Sequence, residues 1–398
     1  MKKRTIKEYD AKSKKVLMRV DFNVPMDEDG IIMDDTKIRF SLETIKYLND
    51  QKAKLILMSH LGNPNGRIVR SLSLEPIAKK LGDMLGKNIF FAPELTGDKV
   101  EEMIEEMLPG DIMLLENTRF DPGDEKNASS LAKKLASYAD VFVNDAFSTC
   151  NKDHASVVGV SKYLETYSGF RLAEEVEKMS NIFERITRPI TIVLGGNNLD
   201  GKIELFDKFV DKIDKVLLGG DMANSVLYAM GYDLGEKYNE REKIKQIKDI
   251  VKVVTSNEKK IILPVDLVVS DEVSPDSERA VIPTRFMHSK LKVLDIGPKT
   301  IKLFSQIIDD SSTIVWSGPM GNSDYNEFLE GTLKIAEHIG SKYGNTVVGG
   351  TETIEALNRL KFSVSGFTWL TPAGAGMLEF LKKGALPGLE NIPKVWGV

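Results

Sequence analysis

Val16-Leu17-Met18-Arg19-Val20-Asp21-Phe22-Asn23-Val24-Pro25 reads as a buried strand that stops abruptly. The run VLMRV is apolar and β-branched at its ends. Phe22 and Val24 then alternate with Asp21 and Asn23, and Pro25 cannot continue a central ladder. Two short polar side chains therefore fall at the carboxyl end of a strand, which in an open α/β sheet is where ligands bind. Aspartate accepts, and asparagine both donates and accepts, so the pair suits a hydroxylated ligand. The same pair also suits a simple turn, and chemistry alone leaves both readings open.

Outward from this stretch, the bulk numbers bound the answer. A chain of 398 residues holds two domains of ordinary size. With 42% hydrophobic and 28% charged residues it is globular rather than low-complexity. A net charge of -5 excludes a general nucleic-acid footprint, so any anion site is a local basic patch. Cys150 is the only cysteine, which excludes an intrachain disulfide or a cysteine metal cluster. The four histidines lack any HExxH-type spacing. No apolar run approaches a membrane span. The opening MKKRTIKEYD has no apolar core of a signal peptide, so the default expectation is a cytoplasmic protein with no membrane partner.

Apolar strand-like runs alternate with amphipathic helical stretches from end to end. The first half offers strands at VLMRV, Lys54–Met58, Asn88–Phe91, Ile112–Leu115 and Val141–Val143. Helical patterns lie between them near Thr36–Asn49, Leu74–Leu85, Lys99–Met107 and Ala128–Tyr138. The second half repeats the scheme. Its strands fall near Thr191–Leu194, Lys215–Leu218, Lys260–Leu263, Thr313–Trp316 and Thr346–Val348, and its helices near Ile203–Val210, Met222–Met230, Phe328–His338 and Thr353–Leu360. Such alternation predicts α/β architecture with parallel sheets covered on both faces, here two doubly wound domains. Phe170–Arg185 runs without Pro or Gly, and Phe170, Val176, Met179 and Phe183 lie near one face. It reads either as a helix linking the two sheets or as one more covering helix.

Several strand ends carry chemistry. His60 and Asn63 follow the strand at 54–58. Arg119, after the strand at 112–115, can grip a phosphate or carboxylate bidentately, or simply pair with Glu125 or Asp121. Gly196–Lys202 fits the first part of a P-loop, but Ile203 replaces the Ser/Thr that would hold magnesium, which argues against a true one. Thr351-Glu352-Thr353 opens a helix whose free N–H groups could receive an anion, although Glu352 could equally offset the helix dipole.

In order and at matching spacings, these motifs resemble those of the phosphoglycerate kinases. The family signatures R-V-D-F-N-V-P, L-L-E-N-x-R-F and V-N-D-A-F appear at 19–25, 114–120 and 143–147. S-H-L-G-R-P appears at 59–64 with Asn63 for the arginine. D-x-R-I-R becomes Asp35–Arg39 with Lys37 for the first arginine. In the stretch Ser148–His154 the family Gly, His and Arg are Ser148, Asn151 and Lys152. Gly195, Gly196 and Lys202 match G-G-x-K-x-x-D-K, while its first lysine is Asn198 and its aspartate Gly201. Leu217–Ala223 resembles the adenine-side G-G-x-M-A loop. P-V-D recurs at Pro264–Asp266, L-D-I-G-P at Leu294–Pro298, and Trp316–Gly321 matches W-N-G-P-M-G apart from Ser317. Asp324, Thr351 and Glu352 stand at further nucleotide-side positions, and Pro372 and Ala373 replace two glycines of T-G-G-G-A-S.

The resemblance implies two Rossmann-like domains joined by a helix, with a cleft between them. The expected divisions are an acid-substrate domain at 1–168, a linking helix at 169–186, a nucleotide domain at 187–380, and a segment at 381–398 returning to the first domain. The implied reaction is reversible phosphoryl transfer between ATP and the carboxylate of 3-phosphoglycerate, with magnesium. Implied substrate-binding residues are Asp21, Phe22, Asn23, Lys37, His60, Leu61, Gly62, Asn63, Arg119 and Lys152, with Lys37, Arg119 and Lys202 catalytic. Gly195, Gly196, Lys202, Gly220, Gly318, Asp324, Gly350, Thr351, Glu352 and Thr353 would serve ATP or ADP, and Glu352 the Mg2+ through the nucleotide. A monomer acting on a small molecule is expected. Because the departures fall at ligand-facing positions, two alternatives stand beside this reading: an altered acid substrate with weaker activity, and a non-catalytic ligand-binding homologue.

Overall fold

The computed structural model describes residues 2–27, 29–184, 187–196, 213–234, 252 and 261–395. The chain divides into one unit of Met1–Asn181 with Lys383–Val398 and a second of Ile182–Lys382.

The first unit is built on six parallel strands: β1 (Lys15–Arg19), β2 (Lys54–Met58), β3 (Phe90–Phe91), β4 (Ile112–Leu114), β5 (Val141–Asn144) and β6 (Thr166–Ser168). Their order is β3-β4-β2-β1-β5-β6. The chain leaves β1 toward β2 on one side and later returns to β5 on the other. β1 is therefore the topological switch point, and its carboxyl end opens a crevice. Register pairs Arg19 with Met58 and with Asn144, so the loops starting at Val20, Ser59 and Asp145 leave the sheet side by side.

Helices α1 (Thr36–Asp50), α2 (Glu75–Leu85), α3 (Asp98–Glu106), α4 (Pro122–Glu125) and α5 (Ser129–Ala136) connect these strands. In α1 the buried Ile38, Ser41, Ile45 and Leu48 recur every three or four residues and face the core. The chain turns out of this helix through Lys52, held at φ 60°. Alternate residues of β1 feed two cores. Val16, Met18 and Val20 pack with Ile45, Leu55, Leu57 and Leu114 on one face, and Leu17 packs with Ile56, Met113, Leu135 and Phe142 on the other. Burying each such Leu or Ile contributes about 1.5–3 kcal/mol.

Helix α6 (Phe170–Glu184) begins in this unit. Its first turn is tied down by Leu172 N–H donating to Asp145 Oδ1 at 2.9 Å and Phe170 N–H donating to Thr44 Oγ1 at 2.9 Å. The last residues of the chain return here. Arg4 N–H donates to Pro393 O at 2.9 Å, and the Lys3 ammonium donates to Leu389 O at 2.6 Å and Ile392 O at 2.8 Å.

The second unit carries another six parallel strands: β7 (Ile190–Leu194), β8 (Lys215–Leu218), β9 (Ile261–Ile262), β13 (Thr313–Ser317), β14 (Asn345–Gly349) and β15 (Trp369–Thr371). The order β15-β14-β13-β7-β8-β9 puts the switch point at β7, just before Gly195. A three-stranded antiparallel sheet, β11-β10-β12, is added from β10 (Asp266–Ser270), β11 (Ala280–Pro283) and β12 (Lys292–Ile296). Periodicity did not reveal this sheet, nor the helix Pro298–Asp309 that follows it. The P-V-D and L-D-I-G-P motifs flank both: Asp266 accepts from Thr300 N–H at 2.7 Å and Lys299 N–H at 3.0 Å, capping that helix. The predicted helix at 203–210 and the end of the predicted 170–185 helix lie outside the described residues.

Candidate functional site

At the carboxyl end of β1, Asp21 is buried and receives three donors. Asn23 N–H reaches Oδ1 at 3.1 Å, while the Ser148 hydroxyl and the Lys37 ammonium, at 3.2 Å, reach Oδ2. The Asn23 contact makes the local turn, so Asp21 both shapes the loop and presents a carboxylate. Burial pushes this carboxyl up, but Lys37, Ser148 and the Asn23 amide outweigh it and hold Asp21 well below the usual carboxylate range. Lys37 comes from the first turn of α1, and both partners of the pair are 10% exposed. Asn23 Oδ1 accepts from Gly62 N–H at 2.9 Å, tying the loop after β1 to the loop after β2.

His60 is buried at the end of β2. Burial, then the nearby Arg19 guanidinium, holds its pKa well below the ordinary imidazole value, so the ring is neutral. Arg19 Nη2 stands 3.1 Å from His60 Nδ1. Because a guanidinium only donates, Nδ1 accepts and the ring proton sits on Nε2. Arg19 also donates to Ser156 Oγ at 3.3 Å and to Val20 O. Burial lowers its pKa, opposed by Asp124 and Asp21.

Arg119 follows β4 in a short 3-10 turn, where Asn117 Oδ1 accepts its N–H at 3.1 Å. Its Nη1 donates to Gly62 O at 2.8 Å and to Asn63 Oδ1. Its buried Nε carries no hydrogen bond, with Glu125 at 3.5 Å. Burial lowers the Arg119 pKa, opposed chiefly by Glu125. The other polar residues of this motif support the loops: Glu116 accepts from Leu74 N–H at 2.9 Å and Ser73 Oγ at 2.7 Å, and Asn117 Nδ2 donates to Leu61 O and Leu72 O.

One sheet edge thus gathers Asp21, Asn23, Lys37, His60, Gly62, Asn63 and Arg119. Phe22 and Leu61 turn their side chains into the core, leaving backbone at the edge, and Phe22 N–H donates to Ser59 Oγ at 2.9 Å. Lys152 is exposed. Arg19, Ser148, Ser59 and Ser156 belong to the same network and were not anticipated. A charged residue inside an apolar strand was the available signal for Arg19, and the serine standing where the family pattern has glycine was the signal for Ser148.

In the second unit the loops after β7, β13 and β14 meet through glycine. A Cβ on Gly318, which has φ 98°, would come within 2.1 Å of Gly195 O. Gly350, at φ 101°, starts the helix Thr351–Arg359, and Glu352 Oε2 lies where a Gly196 Cβ would project. Thr353 is fully buried; it accepts from Gly318 N–H at 2.7 Å and donates to Gly349 O at 3.0 Å, so its hydroxyl ties two strand ends together. Ala373 has no positive φ and its N–H donates to Thr371 Oγ1 at 3.1 Å. The Pro372–Ala373 turn is therefore made without a left-handed residue. Lys202, Asn198 and Gly201 lie outside the described residues.

A cavity of about 280 Å³ adjoins these loops. Leu267, Leu291, Val293 and Met320 give it apolar walls, Gly220 lies at its lining with φ 55°, and Asp324 supplies a polar edge. Apolar faces with a polar rim suit a nucleoside. The antiparallel sheet, unforeseen in the pattern, provides much of that wall. For magnesium the donor chemistry fits in one respect: Glu352 is a hard oxygen donor at a helix start. No group of three His, Cys, Asp or Glu side chains that could hold a metal occurs among the described residues, and Mg2+ is commonly held by one or two carboxylates together with phosphates.

Two α/β units, one with a cation-lined switch point and the other with glycine-backed loops beside a nucleoside-sized cavity, have the parts that a kinase for a small anionic acid requires. The family model described as phosphoglycerate kinase matches residues 6–384. A phosphoglycerate kinase of Pseudothermotoga lettingae is 39% identical over 393 residues, covering 98% of this chain and 99% of that protein. One of Finegoldia magna is 40% identical over 394 residues with the same coverage. The solved phosphoglycerate kinase of Pyrococcus horikoshii superimposes with TM-score 0.86 at 27% identity, and that of Coxiella burnetii with TM-score 0.75 at 32%; each comparison covers 98% of both chains. The chain belongs to the phosphoglycerate kinase family.

Proposed function

We propose that this chain reversibly transfers a phosphoryl group between ATP and the carboxylate of 3-phosphoglycerate, giving ADP and the acyl phosphate. The observation that carries the reading is the placement of each candidate site at the switch point of its own sheet, after β1 and after β7, together with the family match over residues 6–384.

The acid binds at the first switch point. Asp21 accepts the hydroxyl beside the reacting carboxylate, and the free Asn23 amide nitrogen donates to an oxygen of the acid. Lys37 and Arg119 offset negative charge, Arg119 with Glu125 3.5 Å from its Nε. Neutral His60 offers its Nε2 proton. These groups hold a highly charged acid without protonating it, so the carboxylate stays nucleophilic. Phosphoryl transfer leaves little covalent work for the protein, and catalysis rests on positioning and fixed positive charge.

The nucleotide binds at the second switch point. The nucleoside takes the cavity beside Gly220 and Asp324. The phosphates lie against the glycine backbone at Gly195, Gly196 and Gly350, whose own N–H groups donate to Ser317 O, Pro319 O and Thr371 O, and take the N–H at the helix start, Thr351, with Lys202 as their cation. Magnesium supplies charge neutralisation on the phosphates, with Glu352 the carboxylate that would face it.

The test is product analysis. Protein, γ-labelled ATP, magnesium and 3-phosphoglycerate are incubated with hydroxylamine, which traps an acyl phosphate as the hydroxamate. The unlabelled hydroxamate of the acid is expected, formed together with ADP and with the label released as inorganic phosphate, and it is lost in Lys202→Ala. ADP release without hydroxamate would contradict transfer to the carboxylate. One observation favours a second reading, an acid less charged than 3-phosphoglycerate: Asn63 occupies one Arg119 nitrogen and adds no charge of its own. Better turnover of an unphosphorylated hydroxy acid in the same assay would support it.

A further inference from the structure

An ionised carboxylate offers about four lone-pair sites, two on each oxygen. At Asp21 three are occupied. Oδ2 receives both the Ser148 hydroxyl and the Lys37 ammonium, and Oδ1 receives Asn23 N–H. Among the described residues no further donor reaches this carboxylate. One site remains, and it is on Oδ1.

Ser148 is well placed to keep that count fixed. It sits in the 3-10 turn Phe147–Thr149 that follows β5, while Asp21 follows β1. The turn is closed by Thr149 N–H and Thr149 Oγ1 donating to Ala146 O at 3.0 and 2.9 Å, and by Cys150 N–H donating to Phe147 O at 3.0 Å. Its start is held by Ala146 N–H donating to Asn144 Oδ1 at 3.1 Å. Its far side is held by the chain's last segment, where Gly388 N–H donates to Cys150 O at 2.8 Å and Gly388 O accepts from Asn144 Nδ2 at 3.2 Å. The hydroxyl is thus delivered to Asp21 Oδ2 from an element separate from the Asp21 loop and held by its own hydrogen bonds.

We propose that Ser148 is a specificity-determining residue: by filling Oδ2 together with Lys37 it leaves Asp21 one acceptor site, so the acid site selects a ligand with a single hydroxyl over one with two adjacent hydroxyls. A lone hydroxyl needs only the Oδ1 site. A vicinal diol presents two donors to one carboxylate, and its second hydroxyl is desolvated against an oxygen already saturated, which is costly. This rests on the proposed binding of a hydroxy acid at Asp21. It adds to that reading the rule by which related acids are told apart.

The test is calorimetric affinity, without nucleotide, for 3-phosphoglycerate, with one hydroxyl, and 4-phosphoerythronate, with two adjacent ones. The readout is the ratio of the two dissociation constants. In the wild-type chain it favours the monohydroxy acid. In Ser148→Ala the preference falls about tenfold, the worth of one hydrogen bond to a charged group. Ser148→Thr, which keeps the hydroxyl, retains the wild-type ratio. Ser148→Gly, which any turn tolerates, repeats the measurement if the alanine variant does not fold. A purely structural role would weaken both acids by one factor and leave the ratio unmoved, and that result overturns the inference. Wild-type chain that binds neither acid overturns it too. Binding of 3-phosphoglycerate without formation of acyl phosphate would sink the proposed function while leaving this inference standing.

Discussion

Replacing Lys37 by methionine probes the one buried ion pair of the acid site. Lys37 Nζ lies 3.2 Å from Asp21 Oδ2, with both side chains 10% exposed. At an effective dielectric of about 20 their attraction is about 5 kcal/mol. Removing the ammonium also removes its own desolvation cost, and the Ser148 hydroxyl and Asn23 amide still donate to Asp21. The loss therefore falls at the lower end of the ~3–5 kcal/mol typical of stripping one partner from a buried pair, about 3 kcal/mol. The assay is urea unfolding followed by circular dichroism, with hydrogen exchange reporting the amides of β1 and α1. With an m-value of about 2 kcal/mol/M, the midpoint of the first unit's transition drops by about 1.5 M. The acid side sharpens the test. Asp21 has a depressed pKa, so its contribution is present above the unfolded value of about 3.9 and is lost as pH falls through the folded value. Without Lys37 that depression is smaller, so the variant's deficit is largest near neutral pH and narrows toward pH 3. A loss below about 1 kcal/mol, or one equal at pH 7 and pH 3, would refute the reasoning.

Arg119→Ala removes the cation and its buried Nε, and should lower kcat/KM for the acid by about 10²–10³, while KM for ATP changes little; steady-state kinetics in both substrates decide it. His60, kept neutral by burial and Arg19, gives stability that is full above the unfolded imidazole value of about 6.5 and erodes as pH falls below it, because only the unfolded chain takes the proton. Unfolding midpoints at pH 7.5 and 5.5 should differ more in the wild type than in His60→Gln. Lys3→Met deletes the two hydrogen bonds to Leu389 O and Ile392 O and should cost about 1–3 kcal/mol, with exchange protection lost first at residues 388–395.

Much of the first unit was legible because its elements carry strong local patterns. VLMRV, KLILM and the Ile38–Leu48 stripe say strand, strand and helix without tertiary help, and the polar residues at the strand ends are adjacent in the chain to the elements that position them. The network behind them was not legible. Arg19 meets His60 and Ser156, and Asp21 meets Ser148, only because β1 pairs in register with β2 and β5; spacing along the chain carries no trace of register. In the second unit the β10–β12 sheet escaped because β11 is four residues long, ends in Pro283 and pairs across the chain with β10. The helix Pro298–Asp309 did carry a readable signal, proline at its first position and buried Phe304 and Ile308 on one face. Pro372 and Ala373 replace two glycines of the family pattern, and the fold accommodates the second because Ala373 has no positive φ. Thr353 is expected beside the nucleotide, and its hydroxyl also bridges Gly318 and Gly349, a contact that only the fold reveals.

Turnover measured directly bears hardest on the whole account. Purified chain is assayed with ATP, magnesium and 3-phosphoglycerate, coupled to reduction of the acyl phosphate, with a Pseudothermotoga lettingae phosphoglycerate kinase as positive control and Lys202→Ala as background. The account predicts saturable turnover in both substrates that vanishes in the variant. Absence of turnover in the wild-type chain, under conditions where the control is active, would contradict it.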